Sequence, residues 1–448
     1  MDSEDILGVM LRDNIIAGRS SRMKAYEDYT GFDIPPCGDF APRGGTVESP
    51  PWMPSQSTSG AWHQRLSLHR EIELFLAYIR PTKREMAIRE DLVLRFTTLV
   101  EGLDSDISVQ LVGVEAAGIT FPASGLEMGI SWLPGRSSDT GLSSTRAKLG
   151  ELEHKIRQSG FASRIAAYLQ PSVVPTLRIT DAATGIKIDL TAVDEYGDRA
   201  TRILRAWKED KADNAVSNNL VESLFIVLKM TLSIRRLDTT YTGGLSPYLL
   251  FWMVVAWVEL ELPKLAPRKF KPRERADSTS SSSQDCRPAG FRSGWTCRVD
   301  AQIDLGLALK SFLVFYGEEF DATAAAIRFT STGVTYAVKR YPPLKPASQV
   351  DQPVRRYLLS INDPAEHHTD MGSKAYALKH VQATFQEGYL MLTCLEEGTA
   401  SRGDLVKARM QGNLGCFLGG DFSCLDARRS RIVEKWRRNG GKSGKGRA

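Results

Sequence analysis

The chain has 448 residues, 42% of them hydrophobic and 25% charged, an ordinary composition for two to three folded domains at about 150 residues each. That excludes a collagen, a coiled-coil rod and a wholly disordered chain. Lysine and arginine number 58 against 53 acids, a net charge of +5, so attraction to nucleic acid has to come from local patches rather than from the whole surface.

Residues 1–60 begin MDSEDILG, acidic and without the apolar run of a signal peptide, and carry two Pro-Pro pairs and a Ser/Thr-rich stretch; they read as a disordered N-terminal arm. From His63 the apolar residues recur at helical spacing: Ile72, Phe75, Tyr78 and Ile79, then Met86, Ile88, Leu92, Phe96 and Leu99. These predict two amphipathic helices, the second opened by Pro81-Thr82 with Glu85 as capping-box partner. Ile107 to Gly113, Leu126 to Trp132, Thr176 to Ile179 and Ile186 to Leu190 read as strands, with a helix from about Ser144 to Ser159 crossing between them. Residues 61–200 are thus expected to form a small mixed unit.

Helices are then predicted over Leu220 to Ile234, Pro247 to Glu261, Ile303 to Tyr316 and Lys374 to Leu395, with a hairpin-like pair at 325–340. The run Leu249 to Val258 is only half of the roughly 20 apolar residues that span a bilayer, and Glu259 follows; it reads as a buried core helix. Residues 201–400 form the second, mainly helical unit, interrupted at 263–298 by a basic and then serine-rich insertion expected to be disordered. Residues 401–448 read as a basic tail suited to RNA phosphates or to nuclear localisation, with Trp436 placed to stack on a base. Six cysteines include no Cys-x-x-Cys pair, which speaks against a disulfide framework or zinc ribbon and for a reducing compartment. The fold class is therefore α+β.

Several segments, in the right order over about residues 65–396, resemble the nuclear exosome-linked (TRAMP-type) poly(A) RNA polymerases and their Cid-like poly(U) relatives. They are Glu71-Ile72 with Phe75 and Tyr78; Pro81-Thr82 and Glu85; Gly113, Gly118, Pro122 and Ser124; Ile188-Asp189-Leu190; Leu228-Lys229; Tyr241 to Ser246; Tyr316-Gly317; and Ser360 to Pro364 with Asp370 and Gly372. The resemblance implies a DNA polymerase β-like nucleotidyltransferase palm, a helical central domain with the PAP-associated segment, and a cleft between them. It implies transfer of AMP from ATP to RNA 3′ ends with Mg2+ or Mn2+ held by three carboxylates, a nuclear location, and partnership in an RNA-surveillance complex with a zinc-knuckle protein and a helicase.

The catalytic loop departs from the family pattern. Where the family has Gly-Ser and then Ser-Asp-hydrophobic-Asp, this chain has Gly113-Val114 and Ser124-Gly125-Leu126-Glu127. Of the expected carboxylates only Asp189 keeps its identity; Glu127 is either a displaced metal ligand or plain surface, and Glu115 is a conceivable replacement. By resemblance Gly113, Lys229, Ser246, Tyr248, Asp363 and Asp370 contact the nucleotide, although Gly243-Gly244 reads equally as a plain turn and Lys229 equally as a solvent-seeking lysine. The expectation is a nucleotide- or RNA-binding pseudoenzyme, the alternative being an active polynucleotide adenylyltransferase.

Overall fold

The structure, a computed structural model, describes residues 30–42, 49–54, 66–132, 142–169, 175–209, 215–265, 270–271, 298–299, 303–331, 333–339 and 355–440. The chain divides into two compact units, Met1–Tyr78 with Trp207–Phe422, and Ile79–Ala206 with Ser423–Ala448. Most of the 263–298 segment and residues 1–29 lie outside the described residues.

The second unit is the palm. Helix α2 (Lys83–Leu103) starts at the predicted capping box: the Thr82 hydroxyl accepts from the Glu85 amide while the Glu85 carboxylate accepts from the Thr82 amide. It follows α1 (Leu68–Ile79). Strands β1 (Ile107–Leu111), β2 (Leu126–Trp132), β3 (Ala162–Tyr168), β4 (Thr176–Asp181) and β5 (Lys187–Ala192) form one sheet in the order β1-β2-β5-β4-β3. The β2–β5 pair is parallel and the others are antiparallel. Helix α3 (Leu142–Gln158) supplies the crossover, and α4 (Glu195–Glu209) follows β5. One sheet face is the core: Leu126, Met128, Ile130, Leu177, Ile179, Ile188 and Leu190 pack with Phe96 of α2 and Leu149 and Ile156 of α3. By the two-residue period of a strand, Glu127, Asp189 and Arg178 emerge on the other face.

The expected C-terminal tail is instead two helices, α9 (Arg402–Leu418) and α10 (Ser423–Arg438). Helix α10 completes the palm core: Trp436 is buried with Ile432 and Val433 against it, and its indole N–H donates to Asp91 Oδ2 at 3.3 Å. Arg429 forms two bonds of 2.7 and 2.8 Å to the Glu85 carboxylate. Trp436 is therefore a packing residue and not an exposed stacking ring. Sequence charge hid the few inward positions among many arginines.

In the other unit, α6 (Pro247–Leu260) is the central element. Every residue from Leu249 to Val258 is buried, which accounts for an apolar run without a polar face; among the described residues no helix is long and apolar enough to cross a membrane. Helices α5 (Ala215–Ser233) and α7 (Leu305–Val314) pack on it through contacts such as Phe225–Phe251 and Trp257–Phe312, and α8 (Leu378–Glu397) packs on α7 through Phe312–Phe385. Hairpin β6 (Ala325–Thr330) and β7 (Gly333–Val338) follows α7. Part of the expected disordered arm is also packed here: Trp52 stacks edge-on against Phe75 and Phe422, and Ile34 is buried. Helix α9 kinks at Gly412 (φ 75°), where the buried Glu71 carboxylate accepts the freed Asn413 and Leu414 amides at 3.1 and 2.7 Å.

Candidate functional site

On the palm, the loop between β1 and β2 takes a helical turn at Gly113–Ala116. Gly113 has φ +66°, a left-handed backbone that favours glycine, and the Glu127 carboxylate rests on its open side. Where the family has a phosphate-binding serine, Val114 is buried. The other end of the loop is held by Arg89 of α2, buried, which donates to the carbonyls of Ser124 (2.9 Å) and Gly125 (3.2 Å) and pairs with the Glu115 carboxylate. Glu115 is thereby committed to a buried ion pair, which corrects its reading as a replacement metal ligand. Arg205 of α4 donates to the Leu111 and Ala116 carbonyls at 3.1 and 3.2 Å, bracing the loop's start.

The sheet brings three charged residues side by side. Glu127 on β2 is in register with Asp189 on β5, and Asp189 is in register with Arg178 on β4. Arg178 holds both Asp189 oxygens, Nε to Oδ1 at 2.7 Å and Nη2 to Oδ2 at 2.8 Å. The charge of the row is two negative and one positive, where a two-metal centre needs carboxylates aimed at shared cations. Gly125 offers no oxygen from its side chain, and one remaining carboxylate is already bound to a guanidinium. Among the described residues no group of three or more His, Cys, Asp and Glu side chains is placed to hold a metal ion. The residues present do not fit the two-metal centre of the family pattern.

Arg178 and Arg89 were not singled out from the sequence. The signal for Arg178 was the tight turn at Thr184-Gly185: Gly185 has φ +77° and Asp181 Oδ2 accepts from the Thr184 amide at 2.8 Å. That turn sets the β4–β5 register and hence the Arg178–Asp189 pairing. Arg89 has no local signal, because its partners lie 26 to 36 residues away.

In the other unit the expected nucleotide contacts are engaged as follows. Lys229 Nζ on α5 lies 3.4 Å from both Ser233 Oγ and Asp238 Oδ2. Ser246 caps α6, its Oγ accepting the Leu249 amide at 3.1 Å. Tyr248 donates its hydroxyl to Asp363 Oδ1 at 2.9 Å, and Asp363 is buried and also accepts the Ala365 amide. Asp370 accepts from Ser360 Oγ and from the Ile361 and Gly372 amides at 2.8 to 3.1 Å. The structure thus joins Tyr248 to Asp363 and gives Asp370 and Ser246 local capping roles. Gly243 is a left-handed helix cap (φ 78°) whose carbonyl accepts the Ala377 amide at 2.7 Å, the turn reading of that pair. His367 and His368 are exposed.

Comparison with known proteins agrees with this architecture. Residues 68–209 match the family described as "Poly(A) RNA polymerase, mitochondrial-like, central palm domain". The chain is 26% identical over 354 residues to the Schizosaccharomyces pombe "Poly(A) RNA polymerase cid14", covering 77% of this chain and 44% of that protein. It is 24% identical over 341 residues to the Drosophila melanogaster "Inactive non-canonical poly(A) RNA polymerase protein Trf4-2", covering 75% and 70%. Among solved structures, the polymerase core of TRAMP, a RNA surveillance complex, superposes with a TM-score of 0.57 at 19% identity, over 78% of this chain and 93% of that one; at that identity the likeness speaks for the fold. The chain spans about half the length of the first curated relatives it matches. Residues 68–209 are thus similar to the palm of poly(A) RNA polymerases, and the chain as a whole resembles the TRAMP- and Cid-like nucleotidyltransferases.

Proposed function

We propose that this chain is a catalytically impaired poly(A) polymerase-like protein of RNA 3′-end processing and surveillance, which binds a nucleotide such as ATP or an RNA 3′ end without extending it efficiently. The observation that carries the reading is the Glu127–Asp189–Arg178 row beside Gly125: one ligand is missing, and a second is paired with a guanidinium. Each electrostatic element removed from such a centre costs about 2.7–4 kcal/mol, so two together lower the rate by roughly 10^4-fold or more. The similarity to a protein named inactive is in keeping with this. By the same resemblance, a nuclear location and assembly with a zinc-knuckle protein and a helicase form part of the proposal.

The test is primer extension. Purified protein with ATP, Mg2+ or Mn2+ and a short RNA should add negligible AMP. Robust multi-nucleotide addition that disappears in Asp189→Ala would instead establish an active polynucleotide adenylyltransferase.

A further inference from the structure

The face of the palm sheet opposite the core carries more than the degenerate row. Register places Tyr168 of β3 opposite Thr176 of β4, and Thr176 opposite Thr191 of β5, two residues beyond Asp189 and therefore on its face. The same reasoning puts Arg164 of β3 and Lys187 of β5 there, both opposite Thr180. Tyr168 is 42% exposed, and Arg164 and Lys187 are exposed. The Arg178 guanidinium carbon lies 5.7 Å from the centre of the Tyr168 ring.

We infer that Tyr168 and Arg178, with Arg164 and Lys187 at one end of the row, form a binding platform for single-stranded RNA that works without a divalent metal. This rests on the reading above and names the surface through which RNA is held. Single-stranded bases stack on aromatic rings and on guanidinium planes. An exposed arginine ordinarily has too much freedom to offer such a plane. Here two hydrogen bonds to Asp189 fix the guanidinium, so the carboxylate left from the catalytic set orients a stacking group. The ion pair also removes Asp189's repulsion of phosphate. Glu127 lies three strands from β3, about 14 Å at the usual strand spacing, beyond the roughly 8 Å screening length of physiological salt. Arg164 and Lys187, both opposite Thr180, lie four residues along the strands from Tyr168, about 13 Å at the usual rise, so they sit together at one end of the platform, placed to neutralise phosphates a nucleotide or two beyond a stacked base.

The test uses the full chain and a labelled oligo(A) of about 15 nucleotides, with affinity read by fluorescence anisotropy in Mg2+ and in EDTA. The parent should bind equally in both. Tyr168→Ala should weaken binding by between about 5- and 150-fold, the range for losing one base stack, and Tyr168→Phe should keep it. Arg164→Ala with Lys187→Ala should reduce the slope of log affinity against log salt by about 1.4, at 0.7 per phosphate contact. Thermal melting of each variant checks that folding is intact, as expected for exposed positions. If the parent binds RNA but Tyr168→Ala binds as tightly, or if EDTA abolishes binding, the platform is wrong and the RNA-binding reading stands. If the parent binds neither RNA nor ATP, both fail.

Discussion

Gly125 stands where the pattern this chain resembles has its first aspartate, and its surroundings show how readily a carboxylate could be put back. A Cβ at this position would meet the Lys187 carbonyl oxygen at 3.0 Å, tighter than ordinary contact, so β5 must give by a few tenths of an ångström to admit an aspartate. Glu127 is longer than aspartate by one methylene, and its carboxylate rests against the Cβ-free side of Gly113. Gly125→Asp combined with Glu127→Asp rebuilds the carboxylate count and competes with Arg178 for Asp189. The double variant is expected to bind Mn2+ detectably by titration calorimetry where the parent does not, with only weak primer extension. A double variant that binds Mn2+ no better than the parent would mean that ligand count is not what the site lacks. At this scale the family resemblance alone put Asp189 and Glu127 in one carboxylate set, and the β2–β5 register sets them side by side. Arg178 escaped, since its importance lies in cross-strand register and not in any local motif.

Helix α10 shows how an element can be hidden by its own charge. Its inward residues, Leu425, Ile432, Val433 and Trp436, are outnumbered by arginines and lysines, so the segment resembles a solvated tail although Trp436 is only 6% exposed. Trp436→Ala should destabilise the palm by about 3–5 kcal/mol, as for other buried large-to-small changes, seen as a lower urea midpoint; an unchanged midpoint would make α10 a passenger. Gly412 in α9 is the counterpart in the other unit. With φ at 75° and a Cβ that would sit 2.7 Å from Glu71 Oε2, Gly412→Ala combines a left-handed backbone cost of about 1–2 kcal/mol with a clash against a buried carboxylate. It should lower the melting temperature, and more than Gly403→Ala, which meets only Ser401 Oγ at 3.7 Å. Elements with local punctuation were legible: Thr82 and Glu85 mark the start of α2, and Ser246-Pro247 the start of α6. Strand β3 was not, because ASRIAAY is an edge strand with few large apolar residues and a bulge at its start.

Shifted titration in the palm falls on two ion-paired carboxylates and in the other unit on a buried histidine, and this separates their responses to acid. In the palm, burial tends to raise the pKa of Glu85 and Asp181, but hydrogen bonds and charge from Arg429 in one case and from Arg95 and Thr184 in the other outweigh it and hold both below the ordinary carboxylate range. Their stabilisation is present above the unfolded values of about 4.3 and 3.9 and is lost as pH falls through the lower folded values. In the other unit, His380 is buried on α8 beside Phe32, whose amide lies 3.2 Å from its Nδ1 and whose ring stands edge-on at 4.4 Å. Burial lowers the pKa of this imidazole, with the Phe32 contact acting in the opposite direction. The unfolded chain then binds a proton, from about pH 6.5 downward, that the folded state resists. Stability conferred on this unit is therefore constant above that pH and falls as pH drops below it. Urea denaturation followed separately by a palm probe and a central-unit probe should show the central-unit midpoint declining between pH 6.5 and 5 while the palm midpoint holds until pH falls below about 4.3. His380→Gln, which keeps a polar partner for Phe32 but cannot titrate, should flatten the upper decline and leave the lower one in place; a decline that persists in the variant would assign the effect to another group.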